Sequence, residues 1–339
     1  MPQIRPPSSL RRAVNLLPRS CRSIQSRRSH GTSSTTQGAN SSVDATEVTH
    51  FDALASTWWD PHGSSRLLHL MNPLRHDFIS SSMSSQNPHT QPTKSLTYLD
   101  VGCGGGIFAE SAARLPTTKS VTAIDPSAPV IAIAREHARR DPALRQPSYT
   151  EHNSTIDNSS PPNLTYLNTD IDSFATPNLS KQPTPQFDVV TLFEVLEHVN
   201  RPSDFLTSAL PFVKPGGWLV LSTIARTWTS WFTTKLVAED LVGLVPRGTH
   251  DWNKYVLETE LRAWFSKSRE LRRVENDEKS EGLEWSTAKR RSGAGAEEWD
   301  MRSQGVIYVP GIGWRAVDGG EQWGNYFFGV RRKPLTEGV

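Results

Sequence analysis

Residues 98–106 read Tyr-Leu-Asp-Val-Gly-Cys-Gly-Gly-Gly and end in a turn that holds four glycines in five positions. The apolar segment Leu96 to Val101 predicts a β-strand before this turn, and Ile107 to Leu115 predicts a helix directly after it. Glycine is needed where a backbone turns at positive φ or approaches a ligand closely. Such a turn at the carboxyl end of a strand points N–H groups at a polar ligand, so it predicts a binding site.

An acidic residue stands where the next strand ends. Asp125 follows the apolar segment Val121 to Ile124 and lies 23 residues beyond Gly102, a distance at which a carboxylate can bind the two hydroxyls of a ribose. The dinucleotide fingerprint would require glycine at position 107, where this chain has Ile107. The pattern Asp-x-Gly-x-Gly-Gly-Gly instead resembles the first motif of class I S-adenosylmethionine-dependent methyltransferases. The alternative is a tight strand–helix turn that binds no ligand.

Apolar strand candidates alternate with helical stretches along the rest of the chain. This alternation is typical of an α/β fold with a parallel sheet covered by helices on both faces. Two late apolar segments, Gly305 to Val309 and Asn325 to Val330, predict an antiparallel hairpin at the sheet edge. The predicted strands are 96–101, 120–124, 163–168, 187–193 and 218–224, and the predicted helices are 107–115, 127–140 and 203–212.

The first 43 residues differ in composition from the rest. They hold seven arginines and ten serines but no lysine and no acidic residue, which is typical of a mitochondrial transit peptide. The alternative is an ordinary basic tail. We therefore expect a transit peptide and linker at 1–43 and one domain at 44–335, with polar loop insertions at about 146–163 and 266–304.

Charge and cysteine content exclude several classes of protein. The chain has 37 Lys and Arg residues against 35 acidic residues, and without residues 1–43 the count is 30 against 35. No basic stripe with interleaved aromatic residues is present in the sequence, so no nucleic-acid partner is expected. Two cysteines cannot form a disulfide framework. The sequence also has no run of 18 apolar residues that would predict a membrane-spanning helix.

Four sequence blocks together are more specific than the glycine turn. The chain reads Phe-Asp-Ala-Leu-Ala-Ser-Thr-Trp-Trp-Asp-Pro-His-Gly at 51–63, Leu-His-Leu-Met-Asn-Pro-Leu-Arg at 68–75, Glu-Val-Leu-Glu-His-Val at 194–199 and Val-Pro-Arg-Gly-Thr-His-Asp-Trp at 245–252. With the glycine turn, these blocks resemble the ubiquinone biosynthesis O-methyltransferase family in its mitochondrial form. The resemblance spans roughly residues 48–265 and the last strands.

The resemblance implies a fold, an activity and a location. The fold is that of class I S-adenosylmethionine-dependent methyltransferases, with a mostly parallel seven-stranded sheet. The reaction is methylation of catechol hydroxyls on 3,4-dihydroxy-5-polyprenylbenzoate and on demethylubiquinol, with S-adenosyl-L-methionine as methyl donor and Mg²⁺ as cofactor. The location is the matrix side of the mitochondrial inner membrane, as a peripheral member of a multi-subunit ubiquinone-synthesis complex. Another small-molecule methyltransferase and a non-catalytic scaffold of that complex are the alternatives.

The family's cofactor residues match four positions of this chain. Arg75 matches the arginine that reaches the methionine part of the cofactor, where a guanidinium can donate two parallel hydrogen bonds to a carboxylate. Gly102 matches the glycine whose backbone faces the ligand, and Asp125 matches the ribose-binding acid. Phe193, where the family more often has methionine, matches a residue that flanks the adenosine.

Glu194, Glu197 and His198 are spaced at i, i+3 and i+4. If a helix starts at the end of the fourth strand, the three side chains share one helical face and could hold a divalent cation. The histidine would suit Zn²⁺ better, but the resemblance implies Mg²⁺ at these positions. A capped helix start with a packed His198 is one alternative. A catalytic role of Glu197 or His198 as general base is another.

A further segment carries apolar residues at helical spacing. Residues 228–245 hold Trp228, Trp231 and Phe232 near one end and leucine and valine farther along, largely on one helical face. This pattern predicts either a helix that lies in a membrane interface or a lid packed on its own domain. The polyprenyl tail that the resemblance implies favours a lid that also touches lipid.

Overall fold

The computed structural model describes residues 45–63, 65–84, 96–144, 163–175, 184–226, 255–270 and 299–333. Seven α-helices and eight β-strands lie in these ranges. The helices are α1 (Ala45–Leu54), α2 (Arg66–Ser84), α3 (Ile107–Ala113), α4 (Ala128–Arg140), α5 (Ile171–Ala175), α6 (Pro202–Ala209) and α7 (Glu258–Glu270). The strands are β1 (Leu96–Val101), β2 (Thr118–Asp125), β3 (Leu164–Asn168), β4 (Phe187–Phe193), β5 (Val213–Ile224), β6 (Trp299–Val309), β7 (Gly313–Val317) and β8 (Asn325–Arg332).

All eight described strands belong to one sheet, whose order is β3-β2-β1-β4-β5-β8-β6-β7. The first five strands of this order are parallel, while β8 pairs antiparallel with both β5 and β6. The α/β class and the mostly parallel sheet are confirmed. The predicted count of seven strands is one too low, because the chain adds β7 at the outer edge of the sheet.

The central strands are buried on both faces, which explains their nearly continuous apolar sequences. In β4, Phe187, Val189, Val190, Leu192 and Phe193 are all buried. Side chains of one strand alternate between two faces, so they divide between two hydrophobic clusters, one on each side of the sheet. Helices α5, α6 and α7 contribute to one of these clusters, and α2, α3 and α4 contribute to the other.

The carboxyl-terminal part differs from the prediction in connectivity. The segments Gly305 to Val309 and Asn325 to Val330 do lie in antiparallel partners, β6 and β8. They are not consecutive, however, because β7 lies between them in sequence and β8 lies between β5 and β6 in the sheet. The predicted insertion at 266–304 is too wide at both ends, since α7 continues to Glu270 and β6 begins at Trp299.

Several predicted segments lie outside the described residues. These are the expected transit peptide at 1–43, almost all of the expected insertion at 146–163, and the apolar segment 228–245. Within the residues that the structure describes, no helix is both long enough and apolar enough to cross a membrane.

Candidate functional site

The predicted cofactor residues meet at the carboxyl edge of the parallel strands. The strand order reverses between β1 and β4, and ligands of open α/β sheets bind at such a switch point. Gly102 follows β1, Asp125 ends β2 and Phe193 ends β4, so three of the four predicted residues come from three adjacent strands. Arg75 reaches the same edge from α2.

The glycine turn requires glycine for its backbone conformation. Gly102, Gly104 and Gly106 have φ values of 69°, 53° and 88°, in the left-handed region that other residues rarely adopt. Gly106 is also the N-cap of α3. The turn therefore leads from β1 into α3 with only one side chain of its own, that of the buried Cys103.

Asp125 is bound to this turn by its carboxylate. Its Oδ2 accepts a hydrogen bond from the backbone N–H of Gly104 at 3.0 Å, and its Oδ1 accepts one from the N–H of Ser127 at 2.9 Å. Burial nevertheless raises the pKa of Asp125 to about 6, because these two hydrogen bonds offset only part of the desolvation. The acid predicted to bind ribose thus lies directly beside the glycine turn.

Arg75 is almost completely buried, with 3% of its surface exposed. Its guanidinium carbon lies 4.7 Å from the centre of the Phe193 ring, and its Nη2 lies 3.9 Å from Oε1 of Glu194. Burial lowers the pKa of Arg75, although the carboxylates of Glu194, Asp100 and Glu197 oppose that effect. A buried guanidinium at this edge is suited to bind an anionic group.

Buried polar atoms without partners surround the turn. Within the described residues, Nε of Arg75, Oδ1 of Asn72, Oδ2 of Asp100 and Nε1 of Trp58 make no hydrogen bond. Buried polar groups are normally paired. A cofactor with an amino group, a carboxylate and ribose hydroxyls would supply the missing partners. These residues therefore fit S-adenosylmethionine.

No α-helix starts directly after β4, so the condition for a shared helical face is not met. Glu194 has a φ of 55°, so the chain turns sharply there, and Leu196–His198 forms a single turn of 3₁₀-helix. Glu194, Glu197 and His198 consequently do not share one face of an α-helix. Oε1 of Glu194 accepts a hydrogen bond from the hydroxyl of Ser222 at 2.6 Å, and its Oε2 accepts one from Nδ2 of Asn325 at 3.3 Å.

Glu197 and His198 have different partners and different electrostatic surroundings. Oε2 of Glu197 accepts a hydrogen bond from the Thr223 hydroxyl at 2.9 Å, and burial together with the Glu194 charge raises the pKa of Glu197 to about 7. Nδ1 of His198 lies 3.0 Å from Oε2 of Glu47 in α1. Burial lowers the pKa of His198, but the bond to Glu47 and the nearby carboxylates outweigh burial and leave it raised.

These three side chains do not fit a metal ion in the arrangement observed. No group of three or more His, Cys, Asp or Glu side chains in the described ranges could hold one. Ser222, Thr223 and Glu47 instead bind Glu194, Glu197 and His198, respectively.

Sequence reasoning missed several residues of this site. Asp100 stands inside the quoted glycine motif, yet its role is visible only in the fold, where its Oδ1 accepts a hydrogen bond from the Thr191 hydroxyl at 2.7 Å. Burial raises the pKa of Asp100 to about 7. Glu47 is 151 positions from His198, and no local pattern could have indicated the pair.

Comparison with known proteins defines the class first. A family model described as "Methyltransferase domain" matches residues 75–274, and together with the fold this places the protein among the methyltransferases. Among solved structures, a plantazolicin methyltransferase in complex with SAH matches 85% of this chain and 97% of its own, at 14% identity and a TM-score of 0.49.

Curated relatives define the family. Three proteins named ubiquinone biosynthesis O-methyltransferase, mitochondrial, match most of the chain. The Candida albicans protein is 34% identical over 86% of this chain and 86% of its own length, and the Saccharomyces cerevisiae protein is 32% identical over 88% and 91%. The Schizosaccharomyces pombe protein is 43% identical over 66% and 72%. The chain belongs to the ubiquinone biosynthesis O-methyltransferase family.

Proposed function

We propose that this protein transfers a methyl group from S-adenosyl-L-methionine to catechol hydroxyls of polyprenylated intermediates in ubiquinone biosynthesis. The two substrates are 3,4-dihydroxy-5-polyprenylbenzoate and demethylubiquinol. The observation that carries the proposal is the meeting of Arg75, Gly102, Asp125 and Phe193 at one edge of the sheet. The names of the relatives support O-methyl transfer in ubiquinone biosynthesis, and the family resemblance implies the two substrates.

Each of these residues has a task that its geometry suits. The buried Arg75 binds the carboxylate of the methionine part, and the turn at Gly102–Gly106 lets the ligand approach the backbone. Asp125 accepts hydrogen bonds from the ribose hydroxyls, and the Phe193 ring covers one side of the ligand. Bound S-adenosylmethionine supplies a methyl group on a sulfonium, from which it passes in line to the attacking oxygen.

The attacking phenol must lose a proton, because phenolate is the stronger nucleophile. Glu197 and His198 are the two groups that could accept this proton. A general base works best when its pKa lies near the working pH, and the pKa of Glu197 is raised to about 7. The bond to Glu47 and the nearby carboxylates also raise the pKa of His198 above its ordinary value of 6.5, so both groups are candidates for the base.

Mg²⁺ is included as a cofactor in the proposal only because the family resemblance implies it. A cation bound by Glu194 and Glu197 would require these side chains to leave Ser222 and Thr223, their present partners. If Mg²⁺ is required, chelation should abolish turnover and leave binding of S-adenosylhomocysteine nearly unchanged. Full turnover in the presence of the chelator would remove Mg²⁺ from the proposal.

The names of the relatives also bear on where the protein is located. The relatives from three fungi are named mitochondrial, and this supports a mitochondrial protein. We further propose peripheral attachment to the matrix side of the inner membrane and membership of a multi-subunit ubiquinone-synthesis complex. Both would bring the site to a substrate whose polyprenyl tail is held in lipid.

One assay tests the proposed activity. The purified protein should methylate a short-chain polyprenyl catechol when S-adenosylmethionine is supplied, and mass spectrometry should detect a single added methyl group on oxygen. A catechol without the polyprenyl chain is the matched control and should react more slowly. Binding of S-adenosylmethionine without any transfer to the prenylated catechol would favour a different methyltransferase, and no binding at all would favour a scaffold.

A further inference from the structure

Trp58 and Trp59 belong to a sequence block that has no role in the activity described so far. They follow α1 and a turn of 3₁₀-helix, Ala55–Thr57. Trp58 is buried, with 8% of its surface exposed. Two large indole rings at the start of a domain are used either for packing or for contact with a ligand, and their surroundings distinguish these uses.

The Trp58 ring lies against the glycine turn. A β-carbon added at Gly104 would be 2.3 Å from Cζ2 of Trp58, and one added at Gly105 would be 2.1 Å from its Cδ1. Real side chains could not fit in either place, so the ring occupies the space that the missing side chains leave. The same stretch of backbone includes the Gly104 N–H that binds Asp125.

The two indole N–H groups differ in their hydrogen bonds. Nε1 of Trp59 donates to the carbonyl of Gly105 at 2.9 Å, and the Trp59 ring stacks on His137 with the ring centres 3.4 Å apart. Nε1 of Trp58 is buried and has no acceptor among the residues that the structure describes. A buried donor without a partner is costly, so an acceptor other than the described residues is expected there.

The segment that carries Trp58 is attached on both sides of the site. On the β2 side, Asp52 of α1 accepts a hydrogen bond from the hydroxyl of Ser127, the residue whose N–H binds Asp125. On the β4 side, Glu47 of α1 pairs with His198. Helix α1 therefore bridges the carboxyl ends of β2 and β4, between which the cofactor residues lie.

We propose that Trp58 is a cofactor-binding residue, and that residues 45–59 form a lid over bound S-adenosylmethionine. We call these residues the N-terminal lid. The Trp58 N–H donates to an acceptor of the ligand, and the ring shields the ligand from water. Trp59 holds the lid on the glycine turn. This inference rests on the proposed function, because it requires the cofactor to bind at this turn.

The first test compares two tryptophan-to-phenylalanine variants of the full chain. Trp58→Phe removes the unpaired N–H, and Trp314→Phe is the matched control because its N–H donates to the Leu67 carbonyl at 2.9 Å. Affinity for S-adenosylhomocysteine is measured by calorimetry, and the Tm of the ligand-free protein by circular dichroism. We expect Trp58→Phe to weaken affinity at least tenfold, and Trp314→Phe to lower the Tm without changing affinity.

The second test addresses the lid. Glu47→Gln weakens the attachment to His198 without touching the glycine turn, so S-adenosylhomocysteine should dissociate severalfold faster in stopped-flow measurements. An unchanged dissociation rate would overturn the lid, and unchanged affinity in Trp58→Phe would overturn the binding role. If the wild-type protein itself fails to bind S-adenosylhomocysteine, the proposed function fails first, so the two failures are distinguishable.

Discussion

Among single residues, Asp125 holds the glycine turn and the start of α4 together. Its carboxylate positions the glycine turn through the N–H of Gly104 and the start of α4 through the N–H of Ser127. Each oxygen can accept one more hydrogen bond, because a carboxylate has about four acceptor sites and these two bonds use one on each oxygen. The residue that shapes the turn can therefore also bind the ligand that the turn receives.

Replacing Asp125 by alanine should weaken binding of S-adenosylhomocysteine by about 1–3 kcal/mol, because a buried hydrogen-bond partner is lost. Calorimetry on the purified variant measures the effect. The matched control is Asp188→Ala, which removes a carboxylate that binds Thr97 and Lys214 near the opposite end of the sheet and should leave affinity unchanged. Equal affinity of the Asp125 variant and the wild type would contradict the ribose-binding role.

Glu197 should make stability depend on pH. Burial and the Glu194 charge raise its pKa from the ordinary 4.5 to about 7, so the folded protein retains a proton there that the unfolded chain releases. The resulting stabilisation is complete below about pH 4.5 and is lost as pH rises through about 7. As the pH rises from about 5 to about 8, the free energy of unfolding of Glu197→Gln should therefore fall less than that of the wild type.

Urea denaturation at several pH values measures this difference. The exposed Glu136→Gln is the control and should follow the wild-type curve, because its carboxylate has only surface partners, Arg139 and Arg140. Stability curves of Glu197→Gln and wild type that run parallel across the whole range would show that Glu197 keeps an ordinary pKa.

Among the structural elements, the antiparallel strands depend on one close approach of backbones. A β-carbon added at Gly305 in β6 would lie 2.2 Å from the carbonyl carbon of Gly320, in the loop between β7 and β8. This backbone cannot give way as the end of a flexible side chain could. The loop that returns the chain to β8 therefore packs against β6 only because position 305 carries no side chain.

Gly305→Ala should destabilise the protein by about 1–3 kcal/mol, the usual cost of forcing extra atoms into a packed region. Gly324→Ala is the matched control, because its β-carbon would meet only the Val306 carbonyl oxygen at 3.8 Å, an ordinary contact. Thermal unfolding of both variants makes the comparison. Equal Tm values for the two variants would show that the close approach at Gly305 is unimportant.

The turn after β4 shows why spacing alone does not establish that three side chains share a face. The spacing of Glu194, Glu197 and His198 is that of one helical face, but Glu194 adopts positive φ and interrupts the helix before it starts. Its backbone N–H donates to the Ser222 carbonyl at 3.0 Å, so pairing with the neighbouring strand β5 continues for one residue beyond β4. That bond comes from a residue 28 positions away, which a local pattern does not contain.

For the whole molecule, the predicted targeting segment and the methyltransferase domain occupy different parts of the chain. The basic, acid-free composition of residues 1–43 predicts import into mitochondria, independently of the fold. A fluorescent reporter fused to residues 1–43 should co-localise with a mitochondrial marker. The control is the same segment with its seven arginines replaced by glutamine, which should leave the reporter in the cytosol. A reporter that stays in the cytosol with the native segment would contradict the prediction.

Local sequence indicated all five parallel strands, although β5 begins at Val213 and not at the predicted residue 218. The predicted bounds of β1 and β4 agree with the structure, because a strand buried on both faces is a continuous apolar run that turn residues end. The glycine turn and Asp125 belong to one β–α–β unit of about 30 residues, so their spacing also specifies how they meet. The family resemblance added Arg75, which no periodicity would have singled out.

Only the tertiary structure established the contacts between distant segments. It inserted β8 between β5 and β6, paired Glu47 with His198 and placed Trp58 on the glycine turn. It also gave Glu197 its raised pKa, since burial beside Glu194 depends on how β4 and β5 pack. Periodicity reports which face of an element is buried, whereas the partner on that face depends on how the whole chain closes around its core.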